Sequence, residues 1–125
     1  MKKLTTALLG VLISLNTSAS EVAHFKAKPV TDLSSALCNL KQYDQQLRRL
    51  TSKTKMTFSD SAQVHELTYT LEVALQKVKD EVSRAAAELE KSHKASEVAN
   101  FSLVKQASAE YLKVTKVLTT PLNCK

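Results

Sequence analysis

Glycine is almost absent from this sequence of 125 residues. Gly10 is the only glycine, and proline occurs only as Pro29 and Pro121. A phosphate-binding loop needs glycines, because only they let backbone amides approach the ligand closely. Tight β-hairpins also use glycine, since their turns require positive φ angles. The composition therefore excludes nucleotide-binding loops and hairpin-rich folds, and it favours an all-α chain.

Only one long apolar run is present, and it lies at the N-terminus. Lys2 and Lys3 precede the apolar segment 4–15, and residues 16–20 are mostly small and polar. This order is typical of a cleaved signal peptide over residues 1–20. The run is too short to span a bilayer, so no transmembrane anchor is expected. The sequence thus predicts an exported protein, periplasmic or alternatively secreted.

A large excess of one charge is also lacking. The formal net charge of +6 falls to +4 without Lys2 and Lys3, and both signs are interspersed along most of the chain, so nucleic acid is not an expected partner. At the end of the first predicted helix, basic residues would complement the helix dipole. The alternative is a patch for an anionic surface such as lipid headgroups. The residues concerned are Arg48, Arg49, Lys53 and Lys55.

Cysteine occurs only twice, as Cys38 and Cys124. Two thiols in an exported protein most often form one disulfide. Their spacing excludes a C-x-x-C redox pair, and too few other ligands stand nearby for a metal site. We therefore predict a structural disulfide between them.

Three amphipathic helices are predicted within residues 31–125, after an extended lead-in over residues 21–30 in which Pro29 disfavours helix at Lys28. Thr31 or Asp32 caps the first helix, which ends within 51–54. The second starts within 59–61, where Asp60 and Gln63 form a capping pair, and continues to about residue 96. The third starts at residues 96–97 and ends before Pro121.

These elements predict a small antiparallel three-helix bundle with a long central helix. The alternative is a four-helix up-down bundle, in which the second helix breaks within 83–88. Met56 and Phe58 are expected to plug one end of the bundle, and Val98 and Phe101 to begin the core face of the third helix. The predicted core face of the second helix comprises Val64, Leu67, Leu71, Leu75, Val78, Val82, Ala85, Ala86 and Leu89.

The second helix carries a string that begins like a zinc-protease motif. His65 and Glu66 are in place, but Tyr69 stands where the second zinc-binding histidine belongs. One imidazole does not hold a catalytic zinc, so a metalloprotease is excluded. A weaker hypothesis is a polar ligand strip along one side of the helix; the alternative is a solvated shoulder whose tyrosine ring joins the core. The strip comprises His65, Tyr69, Glu72 and Gln76.

Catalysis and resident cofactors are not expected. The serines and threonines have no glycine elbow or neighbouring histidine to activate them. Helical-bundle cytochromes that ligate haem through methionine and histidine place the methionine in the first helix and the histidine in the last. Met56 instead lies in a predicted loop, and the third helix has no histidine.

Four segments together resemble an uncharacterised family of short exported bacterial helical proteins. They are 24–29 in the lead-in, 37–50 in the first helix, 64–72 in the second, and 93–97 before the third. The likeness extends from His24 to Leu118 and therefore covers nearly all of the exported chain. It implies a helical fold and an export route, but no activity.

Besides attachment to anionic lipid through the basic patch, the sequence leaves two hypotheses for function. The first is a non-catalytic periplasmic helical bundle that binds an envelope protein or another envelope component. The alternative is a carrier of a small ligand, metal or haem that uses the polar strip of the second helix.

Overall fold

Three helices follow one another in the computed structural model, which describes residues 25–124. They are α1 (Leu33–Thr51), α2 (Phe58–Glu97) and α3 (Phe101–Thr119). Because α2 is continuous over 40 residues, the three-helix bundle is confirmed and the four-helix alternative does not apply. The predicted signal peptide and the first part of the lead-in lie outside the described residues.

The start of α1 agrees with the sequence. Asp32 is the N-cap, and its carboxylate accepts a hydrogen bond from the backbone N–H of Ser35 at 2.7 Å. The Ser35 hydroxyl in turn accepts one from the Asp32 backbone N–H at 3.0 Å. This reciprocal pair satisfies two backbone donors that a helix start leaves without intrahelical partners.

The start of α2 differs from the prediction by one to three residues. Thr57 is the N-cap, and its hydroxyl accepts from the Asp60 N–H while the Asp60 carboxylate accepts from the Thr57 N–H. Asp60 is therefore the third residue of the helix and the second partner of the capping box, whereas Thr57 is the N-cap. The expectation that Met56 and Phe58 plug the bundle end is also wrong, because both side chains are exposed.

The start of α3 also lies later than predicted. Residues 98–100 form a turn between α2 and α3, and Asn100 caps α3 through a hydrogen bond from the Leu103 N–H. Ala99 has a φ of 52°, in the left-handed region that glycine adopts most readily. Val98 and Phe101, predicted to begin the core face of α3, are instead exposed beside this turn.

The two short helices pack along different halves of α2. Leu50 of α1 lies beside Leu67 in the first half of α2, whereas Ser92 in the second half is hydrogen-bonded to Ser108 of α3 at 2.7 Å. The helices α1 and α3 meet only near the middle of α2, where Leu33, Ala85 and Val114 form a buried cluster. At 1.5 Å per residue, α2 is about 60 Å long. Along most of this length it is therefore packed against only one other helix, α1 in its first half or α3 in its second.

The core face of α2 agrees with the predicted one only in part, because Leu67, Leu71, Val78 and Ala85 lie on it but Ala86 is exposed. Leu75, Val82 and Leu89, expected in the core, are 56%, 46% and 48% exposed. Four of the nine residues on the true face are alanine or serine, and at these positions the helix backbones can approach closely. Its buried and half-buried members are Leu67, Leu71, Ala74, Val78, Glu81, Ala85, Glu88, Ser92 and Ala95, spaced alternately by three and four residues.

Charged residues on that face explain the error. Glu81 is half-buried, and it forms ion pairs with Lys77 at 2.9 Å and with Arg84 at 2.5 Å. The hydrogen bond from Lys77, followed by that from Arg84, lowers the pKa of Glu81 and so favours its charged form at the edge of the core. A search for large apolar residues passes over Glu81 and selects Val82, one position further along the helix.

Candidate functional site

The disulfide joins α1 to the tail after Pro121. Cys38 and Cys124 are bonded, with their Cα atoms 5.5 Å apart and a separation of 86 positions in sequence. This confirms the predicted pairing. Disulfides persist in oxidising compartments, so the bond is typical of periplasmic or extracellular proteins.

The predicted ligand strip is in contact with the lead-in. The ring of Phe25 lies edge-on to those of His65 and Tyr69, with centroid separations of 6.2 Å in both cases. His65 and Tyr69 are themselves 5.2 Å apart. The first half of the strip therefore forms an aromatic cluster with residue 25, a contact that periodicity in α2 alone does not reveal.

Two hydrogen bonds fix the lead-in beside this cluster. The Lys28 backbone N–H donates to the Thr70 hydroxyl of α2 at 3.0 Å, and the Asn39 side chain of α1 donates to the Pro29 carbonyl at 3.3 Å. Thr70 and Asn39 are both buried. Their burial is explained by these bonds, since a buried polar group needs a hydrogen-bonding partner.

The second half of the strip is solvated. Glu72 and Gln76 are exposed, and Gln76 donates a hydrogen bond to Asp80 of the same helix at 2.7 Å. Over residues 25–124, no three histidine, cysteine, aspartate or glutamate side chains come together as a set that could hold a metal ion. The four residues of the strip are thus placed along one helix without converging on a cavity.

A polar cleft lies where the lead-in passes the end of α1 and the start of α2, and the sequence did not reveal it. Its accessible lining is mostly polar, whereas small-molecule sites are mostly apolar with a few polar groups. The side chains that give it this character are Lys26, Tyr43, Gln46, Arg49, Gln63 and Glu66. Hydrogen bonding to a small polar group is possible there, but nothing selects a particular ligand.

The predicted basic patch lies at the end of the molecule that contains the α1–α2 loop. Arg48 and Arg49 are in the last turn of α1, and Lys53 pairs with the buried carboxylate of Asp60 at 2.5 Å. The hydrogen bond from Lys53, with those from Thr57, lowers the pKa of Asp60 to about 2. Lys53 therefore has a structural role, while Arg48, Arg49 and Lys55 are exposed.

An exposed apolar stripe on α2 is the feature that the sequence placed in the core. We define the apolar stripe as Leu75, Val82 and Leu89, which recur every seven residues and are each about half exposed. Leu75 and Leu89 are 14 positions apart, or about 21 Å along the helix. Apolar side chains at this spacing form one of the two rows by which a helix packs against another in a coiled coil.

The fold and these surfaces define a small all-α protein closed by one disulfide, with a long central helix only partly covered by its neighbours. Within the described part of the chain, no helix is long and apolar enough to cross a membrane. The family model DUF6746, described as a family of unknown function, matches residues 1–120, and the chain belongs to this family. The predicted resemblance to an uncharacterised family is thereby confirmed. No curated protein matches the chain, and no solved structure does.

Proposed function

We propose that this chain is a non-catalytic periplasmic protein that binds another envelope protein through the apolar stripe of α2. The predicted signal peptide and the disulfide support export to an oxidising compartment. The single observation that carries the proposal is the half-exposed state of Leu75, Val82 and Leu89 at seven-residue spacing.

The occupant that fits this stripe is an amphipathic helix of the partner. Apolar side chains one heptad apart accept the apolar face of another helix, as in helix-in-groove recognition. Exposed residues of both signs, Glu72, Lys79 and Glu90, flank the stripe. Mixed charge of this kind suits a protein surface better than a uniformly anionic polymer or membrane.

The carrier alternative receives less support. Phe25 borders the rings of His65 and Tyr69 where a ligand would need space. Gln76 is hydrogen-bonded within α2. We therefore favour the surface-binding function over a ligand carried by the strip.

Site-specific photocrosslinking in intact cells of the native host tests the proposal. A benzoylphenylalanine replaces either Leu89 or Ala87, both of which are exposed. Ala87 is the matched control, because two residues of helix place it about 200° around the axis from Leu89. We expect a covalent adduct with another protein from the Leu89 probe and none from the Ala87 probe.

Three results would overturn the proposal. They are the absence of any adduct, equal adducts from both positions, and an adduct of twice the mass of the exported chain. The last would identify the apolar stripe as an interface between two copies. Mass spectrometry of the crosslinked peptide distinguishes a second copy from a different protein.

A further inference from the structure

Two apolar side chains protrude at the junction between the α1–α2 loop and α2, where Met56 is in the loop and Phe58 is the first residue of α2. Phe58 is 99% exposed and Met56 is 43% exposed. Every residue within 51–59 is exposed. We define the tip as residues 48–60, the segment that contains both side chains and the predicted basic patch.

Basic residues dominate the charge of the tip. Arg48, Arg49, Lys53 and Lys55 are its cations, and Asp60 is its one acid, which gives a net charge of +3. Asp60 is buried and paired with Lys53. Among the described residues, Arg48 and Lys55 have no ion-pair partner, so their charges face solvent.

The opposite end of the molecule provides an internal comparison. Phe101 is also the first residue of its helix, and it is 74% exposed. The charges near it are balanced, however, because segment 88–105 contains three acids and three lysines, and Lys94 pairs with Glu90 at 3.1 Å. Exposed apolar residues occur at both ends, whereas among the described residues a net positive charge accompanies them only at the tip.

We propose that the tip docks on a bilayer of anionic phospholipid. The basic side chains contact headgroup phosphates, while Phe58 and Met56 insert into the interface between headgroups and acyl chains. This boundary accommodates an aromatic side chain such as Phe58 and a flexible apolar one such as Met56. The surrounding basic residues are attracted to the anionic headgroups. The tip lies apart from the apolar stripe, so the proposal is independent of the protein partner. Docking of the tip would hold the N-terminal end of α2 against the membrane.

Vesicle sedimentation with the purified exported chain tests this assignment. The vesicles are either phosphatidylcholine alone or an equal mixture of phosphatidylglycerol and phosphatidylcholine, at low salt. We expect binding to the anionic vesicles, weak or no binding to the neutral ones, and a loss of binding as salt rises. Excess inorganic phosphate at constant ionic strength should not displace the protein.

Matched variants locate the contact. Phe58→Ala should weaken binding about tenfold, because an inserted ring is lost, and Lys55→Ala should weaken it about fivefold. Phe101→Ala removes an equally placed phenylalanine from the other end and should leave binding unchanged. Circular dichroism checks that each variant remains helical, which is expected since all three side chains are exposed.

Several results would contradict the proposal. Absence of binding to anionic vesicles, or equal binding to neutral ones, would exclude an anionic membrane as the occupant. Displacement by inorganic phosphate would indicate a site for the free anion. An equal effect of Phe58→Ala and Phe101→Ala would show that the tip is not the contact.

Discussion

At the scale of single residues, Ala99 reflects the shortage of glycine most directly. Its φ of 52° lies in the left-handed region, which is unfavourable for a residue with a Cβ atom. We expect Ala99→Gly to raise the free energy of unfolding by about 0.5–1 kcal/mol. Glycine removes the strain of the left-handed turn, and this gain exceeds the stability that is lost because glycine makes the unfolded chain more flexible. Urea titration of the purified chain measures the change.

Ala87→Gly is the control for this substitution. Ala87 lies exposed in the interior of α2, so glycine there should lower stability by about 0.5–1 kcal/mol. A decrease for Ala99→Gly as well would show that the left-handed turn carries no strain.

Asp60 sets a second prediction at this scale, concerning pH. Its pKa in the folded chain is lowered to about 2, first by Lys53 and then by Thr57, from an ordinary value of about 4. A lowered pKa stabilises the fold above the ordinary value, and this contribution is lost as pH falls towards 2. The difference in unfolding free energy between the native chain and Asp60→Asn should therefore shrink between about pH 5 and pH 2. A difference that stays constant over this window would contradict the assigned interaction.

At the scale of elements, small residues determine how closely the helices pack. Ala36, Ala74 and Ala107 are completely or almost completely buried, one on each helix. Close packing around an alanine leaves no room for a longer side chain. The packing of the helices against one another therefore depends on the small volume of these side chains as much as on the apolar area that they bury.

Ala107→Leu tests this packing. We expect it to lower the free energy of unfolding by about 1–3 kcal/mol, because the added atoms force α2 and α3 apart. Ala109→Leu is the matched control, since Ala109 is exposed on the same helix and the change there should remain within about 0.5 kcal/mol. Equal effects in a urea titration would mean that the α2–α3 contact is not closely packed at Ala107.

Helix boundaries show how far the sequence determines the elements. The cap at Asp32, the end of α3 before Pro121 and the uninterrupted α2 follow from local signals, and the structure agrees with them. The start of α2 was predicted from the Asp60–Gln63 pair alone, although Thr57 and Asp60 have the same spacing. Only the observed hydrogen bonds between Thr57 and Asp60 select this second pair.

At the scale of the whole molecule, the bundle was predictable but its exposed surfaces were not. The periodicity of α2 identifies an amphipathic helix. However, the charged Glu81 lies on the core face and the apolar Val82 lies outside it, which is the opposite of what polarity alone predicts. The contact of Phe25 with His65 and Tyr69 involves a lead-in that has no periodic pattern. Such contacts depend on the relative placement of distant segments, which local patterns do not encode.

Whether the apolar stripe binds a partner is decided most directly by one crosslinking measurement. The yield of the adduct from benzoylphenylalanine at residue 89 is compared between a chain that is otherwise native and one that also carries Val82→Glu. The unfolding free energy of both chains is determined in parallel. We predict loss of the adduct while stability changes by less than about 0.5 kcal/mol, because Val82 is half exposed in the free chain. An unchanged yield at unchanged stability would contradict the proposed function.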